Sequence, residues 1–158
     1  METKRSAWDE EGRPTILFER HKFRTHTGGA YNRSHPDLSG PQGAYGRFSA
    51  QYPKLRRAAL LDEAAALKSA SWGTFQILGE NHKAAGHDTV EAFVDAMMEN
   101  DARHLEAFVA FVGANRAMRK ALQDKDWAGF ASRYNGPGYR DNDYDNQMRA
   151  AYERLRKG

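Results

Sequence analysis

The run Pro53-Lys54-Leu55-Arg56-Arg57-Ala58-Ala59-Leu60-Leu61-Asp62-Glu63-Ala64-Ala65-Ala66-Leu67-Lys68-Ser69 decides the fold class. Leu55, Ala58, Ala59, Leu61, Ala65 and Leu67 recur at the spacing of a helix with one apolar face. Pro53 suits a first helical turn, where its missing N–H removes no intrahelical bond. The spacing predicts a helix from about Pro53 to Ser69. On its C-terminal side the pattern stays helical. A short helical piece is expected over Trp72–Leu78, ended by Gly79. Asp88-Thr89-Val90-Glu91 opens another helix with a capping box, its apolar face formed by Phe93, Val94, Met97 and Met98. Asn100-Asp101 breaks that helix. The next places Leu105, Phe108, Val109 and Val112 inward, with Phe111 also buried, and is expected to be the central core helix. Further helices fit 116–123, 126–133 and 143–156, with Asn135-Gly136-Pro137-Gly138 as a hard turn between the last two.

On its N-terminal side the chain changes character. Residues 1–50 are rich in Gly, Pro, His and Arg, and turn signals crowd together at Glu11-Gly12-Arg13-Pro14, Thr27-Gly28-Gly29, His35-Pro36-Asp37 and Ser39-Gly40-Pro41. The β-prone piece Thr15-Ile16-Leu17-Phe18 predicts a strand or hairpin near 14–24, followed by an irregular loop to about residue 50. Loops of that length in a compact domain are commonly binding or active-site elements. The reading is a single domain over 1–158, mostly α (an α+β arrangement), with a β/loop region over 1–50 and a helical region over 52–158.

Composition narrows the functions open to such a chain. With 158 residues, 40% hydrophobic, it can bury one proper core. No run of about 18 apolar residues is present, so no transmembrane helix and no membrane insertion is expected. The first residues lack the apolar stretch of a secretory signal. There is no cysteine, which removes thiol catalysis, disulfides and cysteine-ligated zinc together. The net charge of +3 suits a polyanionic partner without naming one, and its scattered distribution fits an ordinary solvated surface.

Four groups of residues could carry chemistry. In Ile16-Leu17-Phe18-Glu19-Arg20-His21 a carboxylate follows an apolar run and is flanked by a guanidinium and an imidazole. Apolar neighbours raise a carboxylate's pKa and cationic ones lower it, so Glu19 is a candidate tuned carboxylate; the alternative is a surface ion pair. In Ser69-Ala70-Ser71-Trp72-Gly73-Thr74-Phe75-Gln76-Ile77-Leu78-Gly79, Ser71 and Gln76 offer groups that can orient water or sugar hydroxyls, and Trp72 offers a flat face on which sugars stack. The alternative there is a glycine-interrupted core helix. Arg133-Tyr134-Asn135-Gly136-Pro137-Gly138-Tyr139 gathers tyrosines and an asparagine suited to sugar recognition, or is simply a helix C-cap and turn. The histidines at 21, 26, 35, 82, 87 and 104 show no H-E-x-x-H pattern and no sharp ligand spacing, so no metal or other cofactor is expected. Phosphate-binding glycine loops and a G-x-S-x-G elbow are absent.

Three of these stretches, read in order, resemble a known family: the N-acetylmuramidase domain of phage endolysins, within the lysozyme-like superfamily. The matching stretches are Trp8-Asp9-Glu10-Glu11-Gly12-Arg13-Pro14-Thr15-Ile16-Leu17-Phe18-Glu19-Arg20-His21, Ala70 to Gly79, and Tyr134 to Tyr139, and the likeness covers essentially the whole chain. It implies a lysozyme-like helical fold with a small β-hairpin near the N-terminus. Goose-type lysozymes and lytic transglycosylases carry a catalytic Glu at the end of their first helix, followed by Ser; Glu2-Thr3 resembles that pair with Thr in the Ser position. Their Gly-x-x-Gln-Ile motif resembles Gly73-Thr74-Phe75-Gln76-Ile77. Two-glutamate members place the second Glu in the hairpin, where Glu19 falls. The helix that precedes the catalytic Glu, and the wall-binding module many members carry upstream, are expected to be absent, because the sequence begins at Met1.

The resemblance implies cleavage of the MurNAc–GlcNAc β-1,4 bond of bacterial peptidoglycan. Glu2 would be the acid and Glu19 the base, in an inverting hydrolysis with carboxyl groups about 6.5–9.5 Å apart. Ser71 and Gln76 would orient water or the N-acetyl group, while Trp72, Tyr134 and Asn135 would line the glycan cleft. The expected partner is the peptidoglycan glycan strand rather than nucleic acid, and the expected state is a monomer. Made in the host cytoplasm without a signal peptide, it would act on the wall in the periplasm or outside. Open alternatives are a lytic transglycosylase, a zinc-dependent peptidoglycan amidase or peptidase using Glu19, His21 and another histidine, and a non-catalytic wall- or nucleic-acid-binding module.

Overall fold

The computed structural model describes residues 6–157. The chain divides into two compact units, Met1–Phe111 and Val112–Gly158, and each is described by itself.

The first unit is built around a short strand. β1 (Ile16–Phe18) is followed by α1 (Arg20–His26), then by a series of turns and a single 3-10 turn at Phe48–Ala50. α2 (Gln51–Ala59) and α3 (Glu63–Lys68) come next, then β2 (Ala70–Trp72) and β3 (Ile77–Leu78). After a 3-10 turn at Gly79–Asn81 come α4 (Val90–Glu99) and α5 (Asp101–Ala114). The sheet is antiparallel in the order β1-β2-β3, with Ile16 opposite Trp72, Leu17 opposite Ser71, Phe18 opposite Ala70, and Trp72 opposite Ile77. Phe18, Phe23, Trp72 and Phe93 are buried with the small faces of α2 and α3 in one core. Each such side chain contributes on the order of 1.5–3 kcal/mol by leaving water.

Several expectations are corrected. The helix over Pro53–Ser69 is two helices. The Asp62 side chain accepts a hydrogen bond from the Ala65 N–H at 2.9 Å and caps a new start, leaving Leu60 exposed at the break. The piece over Trp72–Leu78 is a hairpin rather than a helix, since Gly73 (φ +70°) and Gln76 (φ +50°) both leave right-handed helical space. The strand expected within 14–24 is present, but its partner is β2, and 20–26 is helical. On α4 the inward set is Val90, Phe93, Val94, Ala96 and Met97, while Met98 is exposed. On α5 the expected inward residues Leu105 and Val109 are exposed, because His104 and Ala107 hold the buried face. Hydrophobicity alone pointed the wrong way there: a histidine with both ring nitrogens bonded is as acceptable in a core as a leucine.

The second unit holds α6 (Arg116–Gln123), α7 (Trp127–Asn135), a 3-10 turn at Pro137–Asn142 and α8 (Tyr144–Lys157). α6 has the bounds its periodicity predicts, and the other two helices differ by one or two residues at their ends. Asn115 and Asp126 cap α6 and α7 by accepting from backbone N–H groups. Trp127 packs on Tyr152 at 5.3 Å between ring centroids, tying α7 to α8. Among the described residues no helix is long and apolar enough to cross a membrane.

Candidate active site

Both ends of β1 carry residues singled out by sequence. The strand is fixed first by its backbone. The Tyr52 hydroxyl donates to the Pro14 carbonyl at 2.7 Å, and the Thr15 N–H donates to the Ala7 carbonyl at 2.8 Å. Burial pushes the Tyr52 phenol well above its usual range, so it serves as a donor. At the other end, Gln51 accepts from the Phe18 N–H at 2.9 Å, and the Glu19 N–H donates to the Ser69 carbonyl at 2.8 Å.

Glu19 stands where β1 stops and α1 begins. Its side chain is only 16% exposed, Oε2 is shielded from solvent, and that oxygen lies 3.3 Å from Nδ1 of His21. Of the two flanking residues it is therefore His21 that faces the carboxylate. Arg20 turns away, donating to the Pro41 carbonyl at 2.7 Å and the Pro36 carbonyl at 3.1 Å. Tyr45, which sequence reasoning missed, lies against Glu19. Burial pushes its phenol pKa up, a hydrogen bond with Gln42 works against this, and the Glu19 carboxylate adds to the rise. Positive φ at Gly43, Ala44 and Gly46 turns this loop. Lys54 donates to the Ala44 and Tyr45 carbonyls, and Gln51 to those of Tyr45 and Arg47. The only cue in the sequence was a tyrosine between glycines.

The opposite end of β1 begins about 13 Å away by strand geometry. There the Gln76 amide donates to the Thr15 carbonyl at 3.0 Å and the Gly73 carbonyl at 2.8 Å. Ser6, Ala7, Thr15, Gly73, Thr74 and Gln76 line a hollow of about 70 Å³. Behind it His104, 1% exposed, bonds the Met97 carbonyl through Nε2 at 2.7 Å. Its Nδ1 accepts from the Thr74 N–H at 3.2 Å and lies 3.0 Å from the Thr74 hydroxyl. The two bonds together put the ring proton on Nε2. Trp8 stacks on this ring at 5.0 Å and donates to Asp101 at 2.8 Å, beside a groove of about 340 Å³. Gly73 has to be glycine: a Cβ there would sit 2.7 Å from the His104 ring.

A family model for N-acetylmuramidases matches residues 1–156. The chain belongs to the N-acetylmuramidase family. The crystal structure of Burkholderia AP3 phage endolysin matches it with a TM-score of 0.90 and 41% sequence identity, over 99% of this chain and 62% of that one. The mostly α, lysozyme-like fold with a small sheet near the N-terminus is shared with that endolysin, and this chain spans less than two thirds of its length. A comparison with curated proteins returned no match.

Within the family framework the predicted site residues fall into four groups. Glu19 adjoins Ser69, and Ser71 lies across the sheet from Leu17; Gln76 is at the Ser6 end. Trp72 is corrected: 1% exposed and donating to the Leu67 carbonyl, it is a core residue with no face open to a sugar. Tyr134 and Asn135 end α7 in the second unit, where Tyr134 stacks on Phe130 and burial pushes its phenol above the usual range, while Asn135 is exposed. Glu2 lies outside the described residues. Among the described residues no three His, Cys, Asp or Glu side chains meet as a ligand set.

Proposed function

We propose that this muramidase chain hydrolyses the MurNAc–GlcNAc β-1,4 bond of peptidoglycan in the bacterial wall, acting as a monomer by glutamate acid/base catalysis. The observation that carries the reading is Glu19: a largely shielded carboxylate at the end of β1, beside His21 and Tyr45, in a chain of this family. A shielded carboxylate without full hydrogen bonding is costly to the fold, and glycosidic cleavage needs a carboxylate to take a proton from attacking water.

In this reading Glu2 donates a proton to the leaving glycosidic oxygen as the C–O bond breaks. Glu19 takes a proton from the water whose oxygen bonds to the sugar's anomeric carbon. Ser71 and the remaining amide oxygen of Gln76 orient water or the N-acetyl group. Gln76 is consistent with such a part because its NH₂ is spent on two carbonyls, which fixes the amide plane.

Mass analysis of the fragments released from purified peptidoglycan tests the reading. Ordinary reducing MurNAc ends are the expected products, and both Glu2→Gln and Glu19→Gln should slow their release by about 10²–10⁴-fold. 1,6-Anhydro ends would replace hydrolysis by internal attack. New free amines without glycan cuts would overturn the glycosidase reading for this chain.

A further inference from the structure

We propose that His21 is a positioning residue for Glu19, holding the carboxylate through a hydrogen bond from its Nδ1–H to Oε2. The inference rests on the reading of Glu19 as the reacting base.

A short polar side chain before a helix commonly bonds that helix's free N–H groups, worth about 1 kcal/mol, as Asp62 and Thr89 do here. Glu19 occupies this position at the head of α1 and makes no such side-chain bond; only its backbone carbonyl accepts, from Lys22 and Phe23. Its side chain turns instead toward the ring two residues on. Both facing atoms, Glu19 Oε2 and His21 Nδ1, are shielded from solvent, and as the ring stands neither makes a hydrogen bond, to the other or to any other group. They stand 3.3 Å apart. Without a proton between them, two lone pairs would face each other at two atoms that are themselves shielded from solvent. A proton on Nδ1, with a small turn of the ring to aim it at Oε2, would satisfy both atoms at once.

The rest of the surroundings leaves this task to His21. Arg20 is committed to the Pro36 and Pro41 carbonyls, Lys54 to those of Ala44 and Tyr45, and Lys22 to Glu80 at 2.6 Å. Tyr45 meets the carboxylate from the loop side. The carboxylate is thus gripped between an imidazole on α1 and a phenol on the 43–46 turn. His104 provides the contrast: its proton is on Nε2 and directed to a backbone carbonyl, a purely structural arrangement. His21 directs its proton to the side chain that does the chemistry.

The test compares His21→Ala, His21→Asn and Glu19→Gln on soluble glycan strands, with thermal melts of each, and reads the His21 ring tautomer in the wild type by ¹⁵N NMR. The wild-type ring should carry its proton on Nδ1. His21→Ala should lower kcat about 10- to 100-fold with KM little changed, the scale expected for a misplaced reacting group. His21→Asn, whose amide N–H can occupy the place of Nδ1–H, should recover most of that loss. A ring protonated only on Nε2 overturns the inference, as does a folded His21→Asn no more active than a folded His21→Ala. Full activity of His21→Ala beside an inactive Glu19→Gln removes the His21 inference alone. Full activity of Glu19→Gln removes the reading of Glu19, and this inference with it.

Discussion

The two ends of β1 are built to opposite rules. At the Gly73 end the polar side chains are closed into the fold: Gln76 clamps two carbonyls, His104 has both ring nitrogens engaged, and Trp8 covers the ring. At the Glu19 end a shielded carboxylate oxygen and a shielded ring nitrogen face each other at 3.3 Å, and neither is hydrogen-bonded. Complete satisfaction is how a fold stabilises a buried polar group, and incomplete satisfaction is how it keeps one available. One end of the strand is therefore expected to serve mainly stability, with the free amide oxygen of Gln76 left for the substrate, and the other to carry the reacting base.

The sharpest way to break this contrast is Glu19→Gln. Loss of the base should reduce the rate of peptidoglycan solubilisation by about 10²–10⁴-fold. The melting temperature should stay the same or rise, since a buried charge has been removed. A variant that melts early and keeps its rate when folded would reverse the assignment.

Gly73→Ala should do the converse. The Cβ clash with His104 and the left-handed backbone together cost about 2–4 kcal/mol, read from a urea midpoint, while the folded fraction retains its turnover. Gln76→Ala comes next. Losing both amide donors leaves the Thr15 carbonyl with only the Gly73 N–H, and about 1–2 kcal/mol of stability should go. If kcat falls far more than stability, Gln76 belongs to the chemistry as well as to the clamp.

The smallest effect lies away from both ends. Arg57 hydrogen-bonds Asp37 and holds its carboxyl below the usual range, against a desolvation effect that opposes it. A depressed folded-state pKa adds stability above the unfolded carboxylate's range, near pH 4, and that contribution is lost as pH falls through the lower folded value. Both side chains are about half exposed, so the contribution should stay below about 1 kcal/mol. Urea midpoints at pH 7 and pH 2.5 should therefore differ slightly less in Arg57→Ala than in the wild type.

Helices whose signals are local could be read from sequence. α6 follows from its periodicity, and α4 from Thr89, which caps it by accepting from the Ala92 N–H at 3.1 Å. What failed was non-local. Nothing in Thr15–Phe18 says that its partner is Ala70–Trp72, and the string from Ser69 to Gly79 is too short for its periodicity to distinguish helix from hairpin. Trp72 looked like a sugar platform because an aromatic beside glycine suits either role; only the pairing reveals which face is covered. Glu19 was legible as a carboxylate after an apolar run. Tyr45 was not, because its place depends on a turn held by Gln51 and Lys54, whose side-chain reach a single sequence does not display.

The pairing of Phe18 with Ala70 also has a consequence for timing. The partners are about fifty residues apart, so the entropy of closing that loop must be met before any sheet exists. A chain emerging from the ribosome carries Glu19 long before it carries the strand that holds it. The carboxylate stays a solvated side chain until Ile77 and Leu78 have been made and the hairpin can dock. Assembly of the cleft is thus a late event in the life of each nascent molecule, and a truncated product ending before residue 70 would carry Glu19 without the strand that sets it in place.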